Sequence, residues 1–279
     1  MSTTATPVKV GDRDASIVEG SEPAAPAVDP VVAESRRAER LRLLIQPVVA
    51  VLLGGGALVW ALGFRDLTAT QKATVNASSI WTLIQQHLAI TFVVAAIVLA
   101  VAIPLGILLT RPGLTWLAPV FIGIANIGAS APAIGLLVLY YLATGVGGFW
   151  TGVLPLAFYA LLPVLRNTIL GFQEVEPTLV DAGRGQGMSG VTVLRRVEFP
   201  LAVPYILAGL RTSLVLAVGT ATLCFLVGAG GLGILIDTGY KLNDMVALVL
   251  GGVLAVALAL LVDWLGALAE QFLGPKGLR

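Results

Sequence analysis

Six long apolar stretches alternate with polar interruptions along the chain, near residues 43–63, 88–110, 115–143, 149–172, 204–228 and 245–270. Each approaches or exceeds the ~20 residues a helix needs to cross a ~30 Å hydrocarbon core, so the pattern predicts six membrane spans. The first contains Gly54-Gly55-Gly56, which permit close helix packing. The second contains Pro104 and is ended by Arg111-Pro112; the third contains Asn126, Ser130 and Pro132. The fourth carries Pro155, Pro163 and, near its end, Arg166, and glycines at 145, 147 and 148 make a tight turn before it. Between the first two spans, residues 64–87 read as a polar segment holding one amphipathic piece, Ile80 to Ile84.

The longest polar interruption, Glu174 to Pro204, is not patterned as a slack loop. Pro177 suits a first helical position and Glu176 before it can cap with its carboxylate. Glycines at 183, 185 and 187 weaken and then end this short helix. Ser189 can cap a second run, Val191 to Glu198, which Pro200 is expected to stop. The reading is helix, glycine bend, helix, with Arg184, Arg195 and Arg196 as its basic residues.

Composition fixes the class. The 279 residues are 57% hydrophobic and 12% charged, about half the charged fraction of a soluble domain (~25%). An all-α, polytopic membrane protein follows. The net charge of +1 conceals an asymmetry. With the N-terminus in the cytoplasm, fourteen of the seventeen Lys and Arg fall on the inner side, including the collar Arg36, Arg37, Arg40 and Arg42. Only Arg65, Lys72 and Lys241 fall outside. The positive-inside rule therefore places the 174–204 elbow in the cytoplasm and lets the collar touch anionic lipid headgroups. Residues 1–35, rich in Ala, Pro, Ser, Thr, Asp and Glu, read as a disordered tail. They are no signal peptide, because the first apolar run starts too late and is long enough to span. The expected organisation is a tail 1–40, a first span and outer segment 41–86, a core of five spans 87–271, and a short cytoplasmic tail 272–279.

The single Cys224 lies in an apolar run, where it packs as a small residue. The lone His87 reads as a polar residue at a membrane interface and forms no metal cluster by itself. The chain has no G-x-x-x-x-G-K-[ST] string to cradle phosphates, no G-x-S-x-G and no H-E-x-x-H, so enzyme readings are poor.

Asp181-Ala182-Gly183, then Gly187, then Val197-Glu198-Phe199-Pro200 resemble the "EAA" loop of ABC-importer permeases, E-A-A-x3-G followed some nine residues later by I-x-L-P. The wider string DAGRGQGM is similar to the EAARGMGM of osmoprotectant permeases for glycine betaine, carnitine and choline. The likeness extends over most of 87 to 237: Leu161 to Thr168 resembles LLPILRNT, Ala208 to Thr212 resembles AGIRT, and Gly219 to Thr222 resembles GTAT. Gly228 to Gly233, GAGGLG, is a segment shared with methionine-type importers. Three departures stand out. Asp replaces Glu at 181 and Gly replaces Ala at 183, which loosens the helix by roughly 1 kcal/mol. In the third span, Asn126 to Ala133 has Ala129 and Ala133 where the family has Gln and Ser, which makes this segment less polar than its relatives.

The resemblance implies a type I ABC-importer permease working as a homodimer or heterodimer. ATP and Mg would be bound and hydrolysed by separate ATPase subunits docked on the elbow, and a separate extracytoplasmic protein would select the cargo. Asp181 would then offer an anionic contact, Gly187 a sharp turn, and Pro200 with Pro204 the junction with the fifth span. Nothing implies nucleic acid. Candidate path residues are the polar positions Asn126, Ser130, Thr220 and Thr222, although hydroxyls in spans commonly bond their own helix. Arg211 and Asp263 each lie about seven residues from the inner helix ends, roughly 10 Å deep at 1.5 Å per residue. Charge at that depth is costly, so they are expected to face the bundle interior and pair, as an inner gate or a static bridge. Alternative readings are a permease of the same kind with another cargo such as methionine, an ion-driven secondary transporter, and a membrane scaffold.

Overall fold

The computed structural model describes residues 30–63, 68, 71–72 and 75–273, with side chains from 41 onward. Residues 1–29 of the expected N-terminal tail, the side chains of Arg36, Arg37 and Arg40, the outer Arg65, and residues 274–279 lie outside the described residues. All regular structure among the described residues is helical. Helix α1 runs Pro30–Gly63 and α2 runs Ala77–Leu109. The next two helices, α3 (Ala118–Ser130) and α4 (Ala133–Thr144), are followed by α5 (Phe149–Tyr159) and α6 (Leu161–Gln173). The elbow holds α7 (Pro177–Gly185), α8 (Gly190–Val193) and a π-helical turn, Leu194–Glu198. Then come α9 (Phe199–Thr220), a 3-10 segment Ala221–Val227, α10 (Gly233–Leu242) and α11 (Met245–Leu273). Four helical stretches are long and apolar enough to cross a membrane, and six spans result if each bent pair counts as one.

Two expected spans are bent because proline breaks them. The 115–143 stretch turns by 99° between α3 and α4. Pro132 has no amide and excludes the α conformation from the residue before it, so Ala131 is extended at φ −71°, ψ 144°. The 149–172 stretch bends by 42° at Ala160. There Pro163 cannot donate to Tyr159, and its ring would strike that carbonyl in a straight helix.

The second span is longer than the apolar run suggested. Asn76 caps α2 by accepting from the Ser79 amide at 2.9 Å. The amphipathic piece expected between spans, Ile80 to Ile84, lies within the first two turns of α2, with Ile80 and Leu83 buried. His87 is likewise inside rather than at an interface, with no exposed surface. Its Nε2 donates to the Val218 carbonyl at 2.9 Å and its Nδ1 accepts from the Leu232 amide at 3.4 Å. Gln86 accepts from the Gly231 amide at 3.1 Å. The glycine-rich loop after Val227 has backbone amides that neither helix nor sheet can pair, and α2 supplies the acceptors.

Packing rests on small residues where backbones meet, as membrane bundles require in the absence of a hydrophobic drive between helices. Helices α6 and α9 cross at Gly171 and Gly209. A Cβ on Gly209 would lie 2.8 Å from the Pro163 carbonyl and 2.8 Å from Asn167 Cβ. A Cβ on Gly106 of α2 would lie 2.8 Å from Thr168 Cβ of α6. Cys224 is buried against Gly152. One apolar cluster joins α2 to α6 with the 3-10 segment, and a second joins α1, α2, α9, α10 and α11. Gly209→Ala is expected to lower stability by about 1–3 kcal/mol through overpacking. Thermal unfolding in detergent checks this, with Gly55→Ala, which meets nothing within 4 Å and should be neutral to slightly stabilising, as the control.

Candidate functional site

The elbow is built from helix-end chemistry. Pro177 opens α7, but Glu176 makes no side-chain cap, contrary to expectation; its extended backbone at φ −61°, ψ 125° starts the helix without it. At the other end the amide of Met188 bonds the Gly183 carbonyl at 3.2 Å, and that of Gly187 bonds Arg184 at 2.9 Å. These two bonds with a left-handed Gly187 (φ +81°) form a Schellman cap. No atom lies within 4 Å of a Cβ built at Gly187, so backbone conformation, not space, selects glycine there. Gly183 is buried, and a Cβ on it would sit 3.4–3.8 Å from Val193, Met188 and Val197, in ordinary contact. Ser189 Oγ then accepts from the Thr192 amide at 3.3 Å and starts α8.

Pro200 does not stop the second run. The chain passes through it as helix, and Gly190 to Val227 form one 38-residue stretch. The adjustment is made upstream in the Leu194–Glu198 turn, where the Phe199 amide bonds the Leu194 carbonyl five residues back. This π register accommodates a proline that would otherwise meet a carbonyl four residues behind it. Asp181, Ala182, Arg184, Arg195 and Arg196 are exposed, as are Leu179 and Val191, whereas Val197 and Pro200 are half-buried. The elbow therefore offers a mixed apolar and charged outer face.

One elbow residue turns inward. Glu198 is 7% exposed and receives both terminal nitrogens of Arg111, which follows α2, the NH1 contact at 3.1 Å. Arg111 also donates from Nε to the Ile107 carbonyl at 3.2 Å, and its guanidinium lies 5.7 Å from the centre of the Phe172 ring. Beside this fork a groove of about 600 Å³ separates the end of α2 from α8, lined among others by Pro104, Leu108, Val191 and Leu194. Neither partner was singled out from the sequence for this contact. Their 87-residue separation hides it, although a lone carboxylate in the second elbow run facing a bundle of apolar helices was a usable signal.

Deeper in the bundle, Arg211 donates from Nε to Asp263 Oδ1 at 2.6 Å and from NH2 to Oδ2 at 3.1 Å. The cluster is larger than a pair. Asp263 also accepts from Arg42 at 2.8 Å and from Gln46 at 2.7 Å, both on α1, and Arg211 reaches Glu270 at 3.1 Å. Two guanidinium groups face two carboxylates, so the cluster is neutral. The four candidate path residues are not brought together by side-chain contacts. Asn126 accepts from Arg166 at 3.3 Å, and Ser130 is exposed at the α3 break. Thr220 and Thr222 donate to their own backbone, to Leu216 and Gly219, each at 2.7 Å.

Apolar spans thus frame a longest polar interruption that is folded into a two-helix elbow rather than left slack. Residues 102–274 match the model of the binding-protein-dependent transport system inner membrane components. The chain belongs to that family. It is 38% identical over 194 residues to the glycine betaine/carnitine/choline transport system permease protein OpuCB of Bacillus subtilis, covering 70% of this chain and 88% of the relative. It is 35% identical over 235 residues to the osmoprotectant import permease protein OsmY of Salmonella typhimurium, covering 84% and 97%. Among solved structures, an inward-facing form of the MetNI methionine ABC transporter superposes with a TM-score of 0.61 at 26% identity, over 72% of this chain and all of that one. The chain is thus a multi-pass inner-membrane permease subunit of an ABC importer, not itself the ATPase. The secondary-transporter and scaffold readings give way to this membership.

Gly187→Ala is expected to cost the elbow roughly 1–2 kcal/mol from its left-handed backbone, and Gly187→Asn less. Gly183→Ala should gain about 1 kcal/mol from helix propensity. Hydrogen exchange across 177–189 reads both, faster for the first and slower for the last. Asp263→Ala removes the acceptor shared by Arg211, Arg42 and Gln46, leaves Arg211 with Glu270 alone, and should destabilise the bundle by roughly 1–3 kcal/mol. A lowered unfolding temperature in detergent, with Asp263→Asn intermediate, is the expected result.

Proposed function

We propose that this chain is the permease of an osmoprotectant importer that carries glycine betaine, choline or carnitine. The observation that carries this reading is the 35–41% identity, over 63–84% of the chain, to permeases from three organisms, one named for glycine betaine, carnitine and choline, one for carnitine and one for osmoprotectants as a class. ATP and Mg would be handled by ATPase subunits seated on the elbow, a second permease chain would complete the pathway, and an extracytoplasmic protein would deliver cargo. The exposed Asp181-Ala182 face, the Schellman cap at Gly187 and the half-buried Val197 and Pro200 support the elbow as the docking element. A folded elbow passes a push to the spans that a slack loop would absorb. The surplus of Lys and Arg at the elbow side supports a cytoplasmic elbow and N-terminus.

Within the spans, the Arg211–Asp263 cluster has the depth and neutrality of an inner gate latch. Asn126 and Ser130, beside the 99° break, remain the best path positions. Thr220 and Thr222 have their hydroxyls engaged by their own helix. Scattered aromatics such as Trp81 and Trp150, both 60% exposed, make no cage for a quaternary ammonium among the described residues. Selection therefore falls to the delivering protein.

The test is labelled glycine betaine uptake into proteoliposomes holding the chain with its ATPase and binding protein, with internal ATP supplied or withheld. Uptake that needs both ATP and the binding protein is expected. An intact complex that carries methionine and not betaine, choline or carnitine would overturn the cargo.

A further inference from the structure

We propose that the Arg111–Glu198 fork is a strut that makes α2 the rod carrying elbow movement to the glycine-rich loop at the opposite end of the bundle. This rests on the elbow being the ATPase-docking element. The elbow's covalent exits lead only to α6 and α9. Toward α2 it stands off across the groove lined by Pro104, Leu108 and Val191. The two-pronged contact between Arg111 and Glu198 bridges that gap.

The strut is held firmly at both feet. Arg111 is tied back to the end of α2 through the Ile107 carbonyl and lies against the Phe172 ring of α6. Glu198 sits in the π turn, where the elbow becomes α9. A π turn holds one residue more than α geometry needs, and this is where helix register can shift. Any movement of the elbow about that turn displaces Glu198, and a bidentate contact passes on direction as well as distance.

The far end of the same rod is pinned just as specifically. Gln86 accepts from the Gly231 amide and His87 from the Leu232 amide, while His87 donates to Val218 of α9. From His87 to Leu109, the last residue of α2 before Arg111, the helix rises through twenty-two residues, roughly 33 Å at 1.5 Å per residue. Three glycines in the loop, 228, 230 and 231, hold positive φ. A shift of α2 must either drag these amides along or break their bonds. The fork and the two loop contacts thus form one continuous chain of bonded, packed groups between the two faces of the membrane, the physical form that long-range coupling requires.

The experiment follows hydrogen exchange by mass spectrometry over residues 228–233 in the full chain bound to its ATPase, with and without ATP. This readout needs no knowledge of the cargo. The wild type is expected to change exchange at the loop at least five-fold on ATP binding. Glu198→Gln should abolish that change while the ATPase still co-purifies, and Arg111→Glu with Glu198→Arg should restore at least half of it. A full ATP-dependent change in a Glu198→Gln chain that holds its ATPase, or none in the wild-type complex, would overturn the strut and leave the docking role intact. Failure of the wild-type chain to hold an ATPase at all would overturn the docking reading and the strut with it.

Discussion

Asp263 is the charge around which the bundle is assembled. A carboxylate in hydrocarbon must be answered by charge and hydrogen bonds from its own protein. Here Arg211 of α9, and Arg42 with Gln46 of α1, supply them together. Satisfying one residue therefore fixes three helices at a common depth. The neighbouring contacts depend on that depth. Trp264 donates its indole to the Leu43 carbonyl one residue along, and Gly266 lets the Arg211 stem lie against α11, where a Cβ would meet it at 3.1 Å. Further up the same interface Gly54 faces Ala257. Glycines placed for close approach are useful only when register is already set, and the ionic cluster sets it.

The second constraint is the elbow, which must be stiff without being part of the bundle. Its stiffness is local: a proline at the first helical position, a Schellman cap on Gly187 and a hydroxyl cap from Ser189. Its attachment is not local, because Glu198 and Arg111 come from distant parts of the chain. The two kinds of contact divide the labour. Short-range bonds keep the elbow one body, and the buried fork decides which span it leans on.

That division also explains what could be read from residues alone. Spans, the polar elbow, the Ser189 cap and the turn at Gly187 are properties of consecutive residues, and they were legible. Two spans bend where Pro132 and Pro163 stand, and those prolines were visible. Whether a proline bends a helix depends on neighbours that restore or withhold the lost bond, and a linear pattern does not record them. Pro200 gives the converse case: expected to end a helix, it is carried through by a π turn that no residue type announces. His87 reads as interfacial because it closes the polar 64–87 segment just before an apolar run; the three-dimensional position of the glycine-rich loop is what buries it. The Arg211–Asp263 contact was inferable because buried charge compels a partner, but Arg42, Gln46 and Glu270 were not, since compulsion names no address.

The sharp corner between α3 and α4 carries one further meaning. Helix α4 starts at Pro132 with no side chain capping it, so its first amides have no partner within their own helix. Each such group facing lipid tails would cost several kcal/mol. Oil cannot be the neighbour of this corner. Water or another protein surface must border it, so the corner marks a side of the chain that lipid tails are not suited to cover.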